Sequence, residues 1–175
     1  MKPMTMAETT ALLGAVPGLA EVGQEPLTEL AELFVARSYP EGAWICEEGA
    51  VAEDIFVLLQ GQAEVVKLGT NGRRYAVATL GPGVFFGLVG VVAAARRTAS
   101  VRAQTAVELL SLPTAVAREL VEADDVHLGS PIRRALLVAL SRQLWSASST
   151  AMSLAVDAGL AQPLSRSTRG GGPGA

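Results

Sequence analysis

The sequence predicts a mainly β fold with flanking helices, in which short antiparallel strands form a small barrel or roll and a long helix follows. The first observation is a series of short apolar segments between residues 43 and 112, separated by closely spaced glycines. The second is the stretch 131–157, which has no glycine and no proline after Pro131 and would reach about 40 Å as a helix. Short strands with glycine corners are typical of rolls and barrels.

Two helices are predicted before the strands. Thr5 and Glu8 have the spacing of a capping box, which places a helix over 7–16, and Pro17 ends it. A second helix is expected over 27–37. One face of this helix carries Leu30, Leu33 and Phe34.

The β region begins after a turn at Pro40. Asn71 and Gly72 are its strongest hairpin signal, because Asn-Gly fits a turn that needs positive φ at both positions. The predicted strands are 43–46, 55–60, 62–67, 74–80, 100–103 and 107–113.

The segment 86–92 interrupts this rhythm, and its pattern fits a buried strand and a short helix equally well. A helix is expected over 114–123. Ser130 and Pro131 then supply an N-cap and a first-turn proline for the long helix.

Composition excludes several classes of function. Of the 175 residues, 50% are hydrophobic and 18% are charged, and the net charge is −3 with no basic block. Broad electrostatic binding to nucleic acid needs a basic face and is therefore not expected. The chain has one cysteine, Cys46, and one histidine, His127, so we expect no disulfide and no metal site.

No catalytic motif is found, so we expect no enzyme, and we interpret His127 as an exposed loop residue and Cys46 as a small buried one. The N-terminus lacks the apolar core of a signal peptide. The longest apolar run, 84–95, is shorter than the ~20 residues that cross a bilayer. These features predict a soluble cytoplasmic protein.

The long helix carries apolar residues at alternating spacings of three and four, as in a coiled coil. We expect this seam to form a homodimer. In the alternative the seam packs on the chain's own strands, although a second stripe (Leu136, Ala139 and Gln143, with Trp145 nearby) could do so instead. The seam comprises Leu137, Leu140, Leu144, Ala147, Ala151, Leu154 and Ala158.

An ordered run of motifs identifies a family. It comprises Gly42, Glu48-Gly49, Asp54-Ile55-Phe56-Val57-Leu58, Gly61, Leu80-Gly81-Pro82-Gly83, Phe86-Gly87 and Arg97-Thr98-Ala99-Ser100-Val101. Over about residues 10–158 the chain resembles the cyclic nucleotide-binding domain family, of the catabolite activator protein and protein kinase A regulatory subunit type. The resemblance implies a β-roll with a phosphate-binding cassette, and makes residues 88–92 the cassette helix.

The resemblance also implies an organisation of the chain. We expect an N-terminal helical segment over 1–26, the β-roll over 27–128, the long dimerisation helix over 129–158 and a disordered tail over 159–175. Relatives that regulate transcription continue with a helix-turn-helix domain. We expect no DNA-binding domain here, because only about sixteen residues follow the helix.

The cassette of the family consists of Phe-Gly-Glu, a short helix and then an arginine. By resemblance, Arg97 binds the cyclic phosphate, since charge-assisted hydrogen bonds to a guanidinium are stronger than neutral ones. Leu88 stands where the family has the glutamate that accepts a hydrogen bond from the ribose 2′-hydroxyl. Losing that bond costs about 1.5–3 kcal/mol, roughly ten- to a hundred-and-fifty-fold in affinity. The candidate cassette residues are Phe86, Gly87, Leu88, Val89, Arg97, Thr98 and Ala99.

Two functions follow from the resemblance. The first is a non-catalytic, homodimeric regulatory or protein-interaction module with a degenerate cassette, in which binding of cAMP or cGMP is weak or lost and a protein is the partner. The second is a small-ligand sensor that binds a cyclic nucleotide or another nucleotide anion through Arg97. In either case Ser148 and Ser149 are candidate contacts to the base.

Overall fold

The computed structural model describes residues 4–93 and 96–158, with the side chains of residues 92 and 93 left out. The predicted disordered tail, 159–175, lies outside these residues. The prediction of a mainly β fold with flanking helices and a long C-terminal helix is confirmed. The elements are α1 (Met6–Gly14), α2 (Gln24–Leu33), β1 (Val35–Tyr39), β2 (Trp44–Cys46), β3 (Asp54–Gln60), β4 (Ala63–Leu68), β5 (Arg74–Leu80), β6 (Phe85–Phe86), α3 (Val89–Ala93), β7 (Ser100–Ala103), β8 (Val107–Pro113), α4 (Thr114–Glu122) and α5 (Gly129–Asp157).

The strands form two four-stranded sheets in which all pairs are antiparallel. Their orders are β1-β8-β3-β6 and β2-β7-β4-β5. Neighbouring strands are often far apart in the chain, so the sheets fold over each other as a roll rather than as a simple meander.

Two hydrophobic clusters hold the roll together. One lies between the sheets and includes Phe56, Leu58, Phe86, Val101 and Leu109. The other lies on the opposite face of the β3-containing sheet, where strand residues join residues of the helices. β3 is therefore buried on both faces, which explains why it is a continuous apolar run rather than an alternating one.

The N-terminal capping box is confirmed. The hydroxyl of Thr5 accepts a hydrogen bond from the backbone N–H of Glu8 (3.3 Å), and the Glu8 carboxylate accepts one from the backbone N–H of Thr5 (2.7 Å). These two bonds satisfy donors that an uncapped helix leaves unpaired. The helix begins at Met6 and ends at Gly14, slightly earlier than expected.

One predicted boundary and one predicted cap are wrong. The second helix ends at Leu33, and Val35–Tyr39 forms strand β1 against β8 instead of a last helical turn. The long helix begins at Gly129, so Ser130 is not its N-cap. Instead, the Asp125 carboxylate accepts hydrogen bonds from the backbone N–H groups of His127 and Leu128 just before the helix.

The β4–β5 hairpin turns at Asn71 and Gly72 as predicted, with φ of +74° at the glycine. The connection spans residues 69–73 and is longer than a two-residue turn. Val77 is an extra residue in β5, because Val65 pairs with Ala78 whereas Val66 pairs with Ala76. This β-bulge interrupts the strand at the free edge of its sheet.

The chain divides into two compact units after Leu140. The first contains both sheets, helices α1–α4 and the start of α5. The second contains the rest of α5. Within the described ranges, none of the helices combines the length and the apolar character that a bilayer span requires.

Candidate anion site

Gly87 forms the corner between β6 and α3. Its φ of +76° lies in the left-handed region, which favours glycine. A Cβ atom at this position would meet Nη1 of Arg97, so a larger residue would also displace the guanidinium. The corner thus allows the Arg97 guanidinium to approach the backbone closely.

Arg97 is buried, with 8% of its surface exposed. Its Nη2 donates to the backbone carbonyl of Asp54 (2.7 Å), and Nη1 donates to that of Gly87 (3.3 Å). Its guanidinium carbon lies 5.2 Å from the ring centroid of Phe56, within cation–π range. Phe86 in turn stacks on Phe56, with ring centroids 5.0 Å apart.

The guanidinium has no carboxylate partner in the described part of the chain. The ion pairs found there join Lys67 to Glu48, Arg102 to Glu64, His127 to Glu29 and Arg134 to Glu21. The two carbonyl bonds use two of the five N–H donors of Arg97, so the described residues supply no acceptor for the other three.

Cys46 does not supply the missing negative charge. Burial raises the pKa of the Cys46 thiol above its ordinary value, although the positive charge of Arg97 acts in the opposite direction. The thiol is therefore neutral at neutral pH, and among the described residues Arg97 is a buried cation with no anionic side chain beside it.

Leu88 lies on the other side of the corner. Its side chain is 2% exposed and belongs to the hydrophobic cluster between the sheet and the helices, whereas Arg97 stacks on a ring of the cluster between the sheets. The next residue, Val89, is 39% exposed. Position 88 thus directs its side chain into the helix-side core.

Helix α3 is held from two sides. Gly90 packs so closely on Ala52 that a Cβ atom there would lie 2.6 Å from the Ala52 Cβ. From α4, Arg118 donates to the carbonyl of Gly90 (2.9 Å) and to that of Val91 (3.3 Å). Sequence reasoning missed Arg118, since nothing in its neighbourhood along the chain indicates a contact with residues 27 and 28 positions away.

The remaining predicted site residues are more exposed. Thr98 is exposed, Ala99 is half-buried, and the Thr98 carbonyl accepts a hydrogen bond from Lys67. Ser148 and Ser149 are exposed on α5 beyond Leu140, in the second unit. The structure therefore brings Phe86, Gly87 and Arg97 together directly, whereas the assignment of the serines stays a prediction.

A separate surface cleft of about 470 Å³ opens between the N-terminal segment and the start of α5. It is lined in part by His127 and Arg134, but both are already paired, His127 with Glu29 (Nε2 to Oε1, 3.1 Å) and Arg134 with Glu21. Because these charges neutralise each other, the cleft has no excess positive charge for an anion.

The cyclic nucleotide-binding domain family matches residues 36–124, which include the corner and Arg97. The chain belongs to this family. A cyclic nucleotide-gated potassium channel of Mesorhizobium japonicum is 35% identical over 104 residues, 59% of this chain and 27% of the channel. The chain thus spans about a quarter of the length of this relative.

Two solved structures show the same fold. A cyclic nucleotide-binding domain from Methylobacillus flagellatus has a TM-score of 0.74 at 18% identity, and covers 85% of this chain and 83% of its own. A candidate cyclic nucleotide-binding protein from Geobacter metallireducens has a TM-score of 0.64 at 22% identity, and the match covers 81% of this chain and 99% of that one. At these identities the likeness concerns the fold alone.

Proposed function

We propose that this chain is a non-catalytic regulatory module that binds the phosphate of a nucleotide through Arg97 and pairs with a second copy through α5. The observation that carries the proposal is the burial of the Arg97 guanidinium without a carboxylate partner among the described residues. A regulatory role is supported by a relative, a regulatory subunit of a cAMP-dependent protein kinase from Blastocladiella emersonii, which is 28% identical over 94 residues.

The physical argument rests on the cost of burying a charge. A buried cation is strongly disfavoured unless it is paired and hydrogen-bonded, and the carbonyls of Asp54 and Gly87 supply dipoles but no opposite charge. A phosphate would supply both the charge and acceptors for the three unused N–H groups. An anion is therefore the class of ligand that best fits this site.

The ribose is recognised differently from the family pattern. The glutamate that accepts the 2′-hydroxyl bond in the family is replaced by Leu88, whose side chain lies in the core. We infer that the site binds the phosphate and does not select for the 2′-hydroxyl, which is the sense in which the cassette is degenerate.

Calorimetry with cAMP, cGMP and 2′-deoxy-cAMP tests both statements. We expect cAMP and 2′-deoxy-cAMP to bind within about threefold of each other, because no carboxylate accepts the 2′-hydroxyl; a lost bond of that kind would cost at least about tenfold. We expect Arg97→Ala to weaken binding at least about tenfold. Arg96→Ala is the matched control, since Arg96 is exposed and adjacent, and should stay within about threefold.

Binding of cAMP that is unchanged in Arg97→Ala would refute the anion site. A strong preference for cAMP over 2′-deoxy-cAMP would instead refute the inference about the ribose and leave the anion site intact.

A second function is favoured by the hydrogen bonds of Arg97 to the carbonyls of Asp54 and Gly87, because groups of the protein itself hold the guanidinium in place. On this alternative the chain is a protein-interaction module with an empty cassette. The absence of heat with all three nucleotides, together with unchanged thermal stability in their presence, would support it.

The base contacts proposed from Ser148 and Ser149 have their own test. If these hydroxyls touch the base, replacing both by alanine should change the ratio of cAMP to cGMP affinity, while the contribution of Arg97 stays the same. An unchanged ratio would remove the two serines from the site.

Pairing through α5 is supported by the exposure of its seam. Leu137, Leu144 and Leu154 are 65%, 69% and 63% exposed, which is unusual for leucines spaced at three and four. Leu136 is buried outside the seam, whereas the seam residue Leu140 is half-buried against the core, so the seam packs on the chain's own roll at this one position and Leu137 stays uncovered. The exposed leucines are thus left for a second copy.

A further inference from the structure

The part of α5 beyond Leu140 has an apolar surface wider than one coiled-coil seam. Residues 141–157 contain two charged side chains, Arg142 and Asp157. Five large apolar side chains in the segment are more than half exposed: Leu144 (69%), Trp145 (78%), Met152 (60%), Leu154 (63%) and Val156 (54%). Exposed apolar surface of this extent marks an interaction site.

Four of these five residues lie on two seams of the same helix, and Val156 lies on neither. The first seam consists of Leu144, Ala147, Ala151 and Leu154, at spacings of three, four and three. The second seam consists of Trp145, Ser148, Met152 and Ala155, at the same spacings. Each residue of the second seam follows one residue of the first, and at 3.6 residues per turn this places the two seams about 100° apart.

A pair of helices covers one seam of each. If two copies pair through the first seam, Trp145 and Met152 remain on the outside of the pair, about a quarter-turn away. A helix with neighbours in two directions about 100° apart fits at the corner of a near-square arrangement, which closes with four helices.

We infer that this chain assembles as a tetramer in which four α5 segments form a bundle, with the first seam joining copies into pairs and the second seam joining the pairs. The inference rests on the pairing through α5 proposed above. Both contacts are self-complementary, which is the arrangement of a tetramer built as a dimer of dimers.

Copies of this chain fit the second seam better than another kind of partner. The alternating spacing of three and four is the repeat by which helices pack on helices, rather than on sheets or loops. Only Arg142 and Asp157 are charged, so a partner selected by charge has little to bind. Ala147, Ser148 and Ala151 are small and allow the helices to approach closely, while Trp145 and Met152 bury the larger area.

Light scattering on the full chain tests the inference. The wild-type chain should have about four times the monomer mass of 18.1 kDa. Replacing Trp145 and Met152 by glutamine should halve the mass to that of a dimer joined through the first seam. Replacing Leu144 and Leu154 by glutamine should also dissociate the tetramer, because only the contacts of the second seam remain. Val126→Gln is the control, because Val126 is 78% exposed but precedes the helix, and should remain a tetramer.

The outcomes separate this inference from the proposed pairing. A wild-type dimer that is unaffected by the changes at Trp145 and Met152 would overturn the tetramer and leave the pairing. A wild-type monomer would overturn both. Because all four substituted side chains are exposed, circular dichroism should show that every variant is folded. The fluorescence of Trp145, measured in a Trp44→Phe background, is a second readout, and its emission should shift to the red when the tetramer dissociates.

Discussion

Arg97 and Leu88 are nine residues apart, and their side chains enter different cores. The positive φ of Gly87 turns the chain between β6 and α3, so that Leu88 enters the helix-side core. The segment then returns through Arg97 to the core between the sheets. The turn at Gly87 therefore separates the side chain of Leu88, which packs in the core, from the guanidinium of Arg97, which belongs to the candidate site.

Leu88→Glu is predicted to destabilise the fold rather than to restore recognition of the ribose. A carboxylate at a position that is 2% exposed and surrounded by apolar side chains loses its hydration without gaining a partner. We expect the free energy of unfolding to fall by at least about 3 kcal/mol in urea denaturation. Leu88→Met, which keeps the volume, should cost less than about 1.5 kcal/mol.

This prediction has a clear contrary outcome. A Leu88→Glu variant of wild-type stability that binds cAMP more tightly than 2′-deoxy-cAMP would mean that position 88 faces the ligand.

At the scale of elements, the link between α4 and α5 depends on one arginine. Arg133, in the first turns of α5, donates to the carbonyls of Leu120 (3.4 Å), Val121 (3.1 Å) and Ala123 (2.7 Å) at the end of α4. It also donates to the carbonyl of Asp125 (3.2 Å). A cation at the C-terminus of a helix both satisfies unpaired carbonyls and opposes the helix dipole.

Arg133→Met is therefore expected to lower the free energy of unfolding by about 2 kcal/mol, because it leaves these half-buried carbonyls without a donor. Arg142→Met is the matched control, since Arg142 lies on the same helix and is exposed. Its effect should lie within about 0.5 kcal/mol. Equal effects of the two substitutions in urea denaturation would remove this role of Arg133.

The pair between His127 and Glu29 gives the same region a dependence on pH. The side-chain hydrogen bond to Glu29 raises the pKa of His127, desolvation opposes this rise, and the negative charges of Glu29, Glu25 and Asp125 add to it. A raised pKa in the folded state means that the pair stabilises fully below the unfolded pKa, about 6.5, and that this contribution is lost as pH rises through the folded value.

We expect thermal unfolding of His127→Gln and of the wild-type chain to differ at about pH 5.5 and to converge at about pH 8.5. Glu29→Gln should reproduce the effect if Glu29 is the main cause. A difference that is as large at the higher pH would show that His127 acts by packing instead of by charge.

How far the sequence predicts these elements depends on the range of the interactions that form them. The capping box of Thr5 and Glu8 and the strands β5, β7 and β8 follow from local patterns, and they were predicted closely. β1 was not predicted, because its pairing partner begins 72 residues later and a leucine-rich helix precedes it directly. The resemblance to the family predicts Arg97 as a candidate site residue. Its burial could not be predicted in this way, because it depends on contacts with Asp54 and Phe56, which are distant in sequence.

At the scale of the whole molecule, the first unit has the material to fold by itself. Both hydrophobic clusters are made of residues up to Leu140. The remainder of α5 contributes exposed side chains and no member of either cluster. The stability of the fold is thus assigned to the first unit, and the assembly proposed above to the second.

A chain that ends at Leu140 is predicted to unfold in one cooperative transition with a midpoint within a few degrees of the full chain measured at low concentration. It should also be monomeric by light scattering, because the exposed seams are gone. A truncated chain without a cooperative transition would show that the second unit is needed for folding.

The bulge at Val77 has a consequence for how copies of this protein can meet. A flat exposed edge strand invites other chains to extend the sheet, which leads to aggregates of indefinite length. Strand β5 lies at such an edge, but its extra residue divides the backbone pattern into two short pieces, and Arg73 and Arg74 place positive charge at one end. Growth by addition of strands is thereby discouraged, which leaves the proposed pairing of helices, a contact that gives assemblies of fixed size, as the remaining route of self-association.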